Sequence, residues 1–332
     1  MLQYIVKRVL VAIPTLILVS MISFLTITLP PGDYMDSIVA QLAASGQIAA
    51  KDELDSMRAR YGLDQPVYVQ YWKWISGIVL RGDWGESFQW GRPVTTVIGD
   101  RMWLTIAISF ITLLFTWALA IPIGIYSATH QYSFFDHLFT TFGFIGVATP
   151  NFLLALILIY VAFAWFDTGV VGLFSPEYVS APWSFGKVLD FLKHVWVAIV
   201  VIGMSGTAGL IRVMRANLLD ELHKPYVITA RAKGLTERRL LVKYPVRVAI
   251  NPFVSTIGWT LPALFSGTTI VAIVLGLPTS GPTFLQALMQ QDMYLAGSFV
   301  LILSVLTVIG TLISDVLLAW VDPRIRLESK QQ

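Results

Sequence analysis

The chain has no cysteine. Disulfide cross-links, thiolate nucleophiles and thiolate metal ligands are therefore excluded. Its four histidines are scattered, with no HExxH pattern and no cluster, so a histidine-based metal site has no support. No GxxxxGK[ST] stretch is present, which excludes nucleotide binding through a P-loop. A GxSxG elbow is also missing, and no close pair of carboxylates lies at helical spacing in an apolar run. If this protein drives work, the fuel is consumed on another chain. Charge is scarce too: Asp, Glu, Lys and Arg make up 13% of 332 residues, against about 25% in an ordinary soluble domain.

Apolar sequence fills the space that charge leaves. Hydrophobic residues reach 56%, and the mean hydropathy is +0.70. Long uncharged runs recur along the whole chain, which argues against a soluble protein with an unusually apolar core. Six runs are long enough to cross about 30 Å of hydrocarbon as helices. They lie near Val9–Leu29, Trp103–Tyr126, Leu138–Phe166, Trp196–Val213, Phe253–Leu277 and Ala296–Val321. The first follows a basic start, as a signal peptide would. Its 21 residues, with no small-residue cleavage site after them, predict a retained span instead. Pro14, Pro122, Pro150 and Pro262 fall inside the runs and predict kinks, although membrane helices often tolerate proline.

Orientation follows from Lys and Arg in the short loops. Lys7 and Arg8, nine basic residues between Arg212 and Arg247, and Arg324, Arg326 and Lys330 all fall on one side. The other side has only Lys187 and Lys193 in short loops. Both termini are therefore expected inside the cell. The loop ATHQYSFFDH (128–137) contributes neither Lys nor Arg. The segment between Pro31 and Arg101 is external and rich in aromatics. Arg58–Tyr61 reads as a short helix ending at Gly62. After Pro66, the spacing of Val67, Tyr71, Trp74, Ile75 and Ile78 predicts an amphipathic helix. That pattern fits a folded external subdomain, with an interfacial helix on the outer leaflet as the alternative.

The spans hold little for ion coupling. Asp315 is the one acid well inside a run, and a local partner explains it better than a proton relay. Broken helices in matching halves and a ring of charges are both missing, so an inverted-repeat carrier or a channel has weak support. The fourth run contains GMSGTAGLIRVMR, with Gly203, Gly206 and Gly209 beside Ser205 and Ala208. Steps such as Gly203 to Thr207 let helices approach closely. Tight packing explains them, and a sliding surface is the sharper reading.

ITARAKGLTERRLLVKYP (228–245) is strongly basic. Pro225 suits a helix start, with Tyr226, Val227 and Ala230 on one face. Gly234 stands where a C′ glycine ends a helix. Thr236 suits an N-cap, with Glu237 at the positive helix end. Leu240, Leu241 and Tyr244 form a stripe opposite Arg238, Arg239 and Lys243, and Pro245 breaks the run. Two short helices joined at a glycine elbow are expected. An electrostatic anchor on anionic lipid explains the charge. Nucleic-acid or calmodulin-type binding does not suit a short loop between spans. The small residues before the elbow fit a docking element.

TARAKGL (229–235) resembles the EAA loop of ABC importer permeases, in the variant of the dipeptide/oligopeptide family. Ile228, Thr229 and Ala230 occupy the Glu-Ala-Ala positions before Gly234, and the glutamate is absent. PPGD (30–33) with YGLDQPVYVQYWKW and RGDWGESF resembles the N-terminal part of the B-type permease, and VDPRIR (321–326) its C-terminal signature. The three motifs occur in order over essentially the whole chain. The resemblance implies an all-α membrane protein with six transmembrane helices, a type I ABC importer transmembrane domain with an external segment between helices 1 and 2. It implies a first helix plus external segment in 1–100, a core in 101–322 with a coupling loop at about 215–251, and a cytoplasmic tail in 323–332.

The implied partners are a second homologous permease, two ATP-binding subunits, an external solute-binding protein and membrane lipid. No cofactor is expected on this chain, with ATP and Mg on the partners, in a bacterial inner membrane. Docking of the ATPase is expected at Tyr226, Thr229, Ala230, Arg231, Ala232, Lys233, Gly234 and Leu235. The pathway is expected near Pro150, Asn151, Gly203, Gly206 and Gly209. The family imports peptides, opines, nickel and oligosaccharides. A peptide-sized solute leads, and the external stretch 168–187 resembles versions from oligosaccharide importers. An ion-coupled carrier and a partner-binding scaffold are the rivals from other classes.

Overall fold

A computed structural model describes residues 2–28, 59, 64–255 and 268–321. In chain order it has α1 (Leu2–Thr28), α2 (Val67–Ser76), β1 (Glu86–Ser87), β2 (Arg92–Pro93), α3 (Val94–Thr129), α4 (Phe134–Ala148) and α5 (Asn151–Phe166). Then come α6 (Phe185–Leu222), α7 (Pro225–Ala232), α8 (Glu237–Lys243), α9 (Pro245–Ala249), α10 (Thr269–Val274), α11 (Ser280–Met289) and α12 (Met293–Val321). Helices dominate because hydrocarbon leaves backbone groups no other partner. Polar side chains inside the runs are absorbed the same way. In α1, the hydroxyls of Thr15, Ser23 and Thr26 each donate to the carbonyl four residues earlier. Leu10, Ile17, Leu18 and Ile22 stay exposed, as a lipid-facing surface requires.

Among the described residues, four helices have the length and composition to cross a membrane: Leu10–Thr28, Val94–Thr129, Phe185–Leu222 and Met293–Leu318. The third expected span needs correction. Leu138–Phe166 is not one kinked helix but α4 and α5, bent by 107° at their junction. Thr149 takes an extended conformation (φ −87°, ψ 123°) ahead of Pro150, as the residue before a proline is driven to do. Its N–H and hydroxyl both donate to the Ile145 carbonyl, at 3.0 and 2.8 Å, so the break leaves neither group unpaired. The fifth expected span, Phe253–Leu277, lies largely outside the described residues. Residues 251–255 are helical and α10 covers Thr269–Val274.

The chain forms two compact units. One comprises residues 105–278 together with the chain from Thr307 onward. Its core places Met214 and Leu218 of α6 against Ala120 and Ala128 of α3, Val246 and Ala249 of α9, and Phe253. α3 and α6 approach closely here. A methyl at Gly203 would sit 2.9 Å from Phe115, and one at Gly124 only 2.5 Å from the Met214 Cβ. The loop before α6 is also organised. The Asp190 carboxylate accepts from Ser175 N–H (2.7 Å) and Oγ–H (2.6 Å). Lys187 is buried, donates to Ala181 O, and lies over the rings of Phe174 and Trp183.

The other unit combines Leu2–Leu104 with Thr279–Leu306. α2 forms where the spacing after Pro66 predicts it. Its Trp74 stacks on Phe24 at 5.4 Å and joins Phe88, Met293 and Leu301 in one core. The Tyr71 hydroxyl hydrogen-bonds Ser20 (2.9 Å). Over its described residues, the external segment is therefore folded onto α1. The short helix expected at Arg58–Tyr61 lies outside the described residues, apart from Ala59. β1 and β2 pair antiparallel, Glu86 opposite Pro93, and one buried carboxylate ties the hairpin down. Asp292 Oδ2 accepts from Ser87 Oγ–H (2.5 Å) and Gln89 N–H (3.2 Å). Its Oδ1 accepts from Leu295 N–H (3.2 Å) at the start of α12.

Asp292→Ala leaves these donors buried without their acceptor. It should cost about 1–3 kcal/mol of stability, read as a lowered midpoint in denaturant unfolding of the detergent-purified chain, while Asp292→Asn costs less.

Candidate functional site

The elbow forms where α7 meets α8. Pro225 opens α7 in its first turn, where a missing N–H is harmless. Gly234 closes it with φ +81°. Leu235 N–H reaches back to Ala230 O (3.4 Å) and Gly234 N–H to Arg231 O (3.0 Å), the paired bonds of a Schellman ending. Leu235 packs beside Ala230, the apolar contact that accompanies this ending. A methyl at Gly234 would meet nothing within 4 Å. The glycine is required by its left-handed backbone, not by crowding.

The elbow is stiffened from two sides. Val227, Ala230 and Leu240 are buried together, with Tyr226, Leu235 and Tyr244 against them. Leu241, the next residue of α8, packs instead into the Met214–Leu218 core at the end of α6. α8 thus shares its apolar face between the elbow and the long helix that carries it. Across the bend, Arg231 grips Glu237 bidentately, Nε to Oε1 at 2.6 Å and Nη2 to Oε2 at 3.2 Å. This hydrogen bonding holds the Glu237 carboxyl below its usual range. The clamp therefore persists above the ordinary carboxylate pKa and is lost only as pH falls through the depressed value. Both side chains are exposed, so its strength is modest and screened by salt. The Tyr226 hydroxyl donates to Glu221 at the end of α6.

These contacts sort the expected docking residues. Thr229, Arg231, Ala232, Lys233 and Gly234 are exposed, and Tyr226 and Leu235 are half-buried. Ala230 is buried in the elbow's own core, so its small size serves internal packing and its methyl is not offered outward. Thr236 is the first residue before α8, but its hydroxyl makes no cap bond; the Arg231–Glu237 pair occupies that end instead. Sequence reading passed over Val242, and it noted Ile228 only as the residue at the glutamate position. Both are strongly exposed on the outside of the bend. Their signal was present: each is apolar yet out of register with the buried stripe.

The expected pathway residues do not form one group. Pro150 is exposed and Asn151 half-buried at the 107° bend. Gly203 is buried against Phe115, whereas Gly206 and Gly209 are exposed, with nothing within 4 Å of a methyl at Gly209. Among the described residues, no three His, Asp or Glu side chains converge as a metal site.

The described residues thus form a helical membrane protein with a basic elbow on the end of its longest described helix. The sequence supplies the particular class. The chain belongs to the binding-protein-dependent transport system inner membrane components: that family's pattern covers residues 120–327, and the N-terminal pattern of the same membrane components covers 1–109. It is 35% identical to the oligopeptide transport system permease protein AppB of Bacillus subtilis, over 98% of this chain and 99% of the relative. Identity to the oligopeptide permease OppB of Haemophilus influenzae is 28%, over 98% of this chain and 100% of that protein. The dipeptide permease DppB of Escherichia coli is 29% identical, over 98% and 99%. The chain is the membrane component of such a system, not its catalytic part.

Gly234→Val should disable the elbow through its left-handed backbone, at about 1–2 kcal/mol, while Gly234→Asn, tolerated in that conformation, keeps most function. ATP-coupled uptake in reconstituted vesicles measures the difference, with membrane insertion equal in both. Glu237→Gln should speed amide hydrogen exchange over 231–237 without changing exchange in α6.

Proposed function

We propose that this chain forms half of the translocation pathway of an ATP-driven importer for oligopeptides or similar-sized solutes. The elbow carries this reading. It presents Thr229, Arg231, Ala232 and Lys233 outward on a rigid bend joined to α6, as a lever driven by a separate ATPase requires. The remaining parts are a second homologous permease, two ATP-binding subunits that bind ATP and Mg, and an external solute-binding protein. Six spans place both termini in the cytoplasm, and the distribution of Lys and Arg supports that orientation. Residues 1–100 supply the first helix and external segment, 101–322 the core with its coupling loop at about 215–251, and 323–332 a cytoplasmic tail.

In this reading, ATP supplies a differential affinity for one conformation of the permease pair, and the elbow conveys it to the spans. Ile228 and Val242 add apolar contact to the docking face. The bend at Pro150–Asn151 and the open glycine face at Gly206 and Gly209 lie along the moving pathway, with Gly203 fixing the helix spacing behind them. The names of the relatives, oligopeptide and dipeptide permeases, favour a peptide. An oligosaccharide is the other solute considered. In the stretch 168–187, Phe174 and Trp183 each lie against Lys187, so these rings already serve the loop's own packing.

Reconstitution with the three partner subunits and the binding protein should give uptake that needs ATP and is stimulated by loaded binding protein. Uptake driven by an ion gradient without the ATPases would overturn the assignment. Mass analysis of the ligand that co-purifies with the binding protein should return short peptides, and sugars in their place would redirect the solute.

A further inference from the structure

The turn between α3 and α4 has no Lys or Arg of its own, yet it holds a cationic corner in space. Arg212 and Arg215, one turn apart on α6, both line the cavity beside it. Arg215 Nη2 pairs with Asp136 Oδ2 at 3.2 Å, and the same oxygen accepts from Tyr132 N–H at 3.0 Å. The Arg215 Nε atom is buried and has no hydrogen-bond partner among the described residues. The Arg212 guanidinium lies 5.1 Å over the Phe144 ring; no carboxylate pairs with it among the described residues. Two guanidiniums and one carboxylate line the same cavity, which leaves a net positive charge, and both the Arg215 Nε donor and the Asp136 Oδ1 acceptor are buried and, among the described residues, unused.

The corner opens on a cavity of about 340 Å³ whose walls include Tyr132, Phe139, Phe144 and Ile211. α4 and α6 close against each other beside it, with a methyl at Gly143 lying 3.5 Å from the Ala208 Cβ. On the turn itself, Tyr132, Phe134 and Phe135 are exposed, and aromatic side chains at a span's end mark the membrane interface.

We infer that this cavity is a binding site for one anionic phospholipid of the cytoplasmic leaflet, its phosphodiester on the Arg212 and Arg215 guanidiniums and an acyl chain along Phe139, Phe144 and Ile211. Charge and shape together select this occupant. A free phosphate would satisfy the arginines but leave the aromatic walls bare, and an apolar helix would cover the walls but leave the cations unpaired. The site also explains how a cytoplasmic turn without basic residues meets the positive-inside rule: α6 lends it the charge. The leaflet rests on the proposed orientation; the binding chemistry does not.

The test is native mass spectrometry of the full-length chain from nanodiscs of equal phosphatidylglycerol and phosphatidylcholine. The unaltered protein should retain one phosphatidylglycerol in preference to phosphatidylcholine. Arg212→Gln should lower that preference about fivefold, the effect of one basic side chain near an anionic lipid surface. Arg212→Lys should keep most of it, and Arg238→Gln on the elbow should leave it unchanged. Phe144→Ala should weaken retention independently, by removing the wall. Unfolding midpoints equal to the parent's establish that the variants are folded. Three results overturn the site: full retention in both Arg212→Gln and Phe144→Ala, equal loss in Arg238→Gln, or displacement of the lipid by millimolar glycerol phosphate. None of these touches ATP-coupled uptake, so failure here leaves the transport assignment standing.

Discussion

Hydrocarbon offers no partner to a peptide N–H or C=O, and the rest of the structure depends on that constraint. It makes every crossing helical and makes any interruption costly unless its polar groups are recaptured. The break at Thr149–Pro150 shows how the cost is met, since Thr149 returns both of its donors to the carbonyl of Ile145. A different constraint governs the β1–β2 hairpin, whose strands are only two residues long. Such a hairpin cannot stand alone. It is held because the Asp292 carboxylate, at the start of α12, takes one hydroxyl and one backbone donor from its turn.

The basic elbow shows the same economy outside the membrane. Its short helices have too few residues to be stable in isolation. They persist because Leu240 and Leu241, adjacent in sequence, enter two different cores. One core belongs to the bend and the other to the end of α6. The bend is thereby packed onto a helix of 38 residues, about 57 Å long at 1.5 Å per residue, the route that the proposed coupling would use. A flexible connector would dissipate force along that route. The glycine, the Schellman bonds and the Arg231–Glu237 clamp all oppose that flexibility.

Legibility in the sequence followed the range of the interaction. The amphipathic α2, the proline start of α7, the glycine end at Gly234 and the first, second, fourth and sixth apolar spans are local signals, and each appears where its pattern predicts. The single span over Leu138–Phe166 was misread because hydropathy averages across a break that two residues create. The burial of Ala230 is not legible locally, because a small residue fits a groove and a core equally well. Thr236 has the right chemistry for a cap, but a stronger long-side-chain pair claimed the position.

What the sequence determined by itself is the class of molecule. Charge scarcity, run length and the placement of Lys and Arg are sums over many residues, so they survive any error in a single contact. Tertiary structure alone decided which face each residue shows. Val242 points out while Leu240 points in, Lys187 lies over two aromatic rings, and Arg215 pairs with Asp136, 79 residues earlier. Such pairings depend on how helices pack, and packing is settled by contacts between distant residues that no local period encodes.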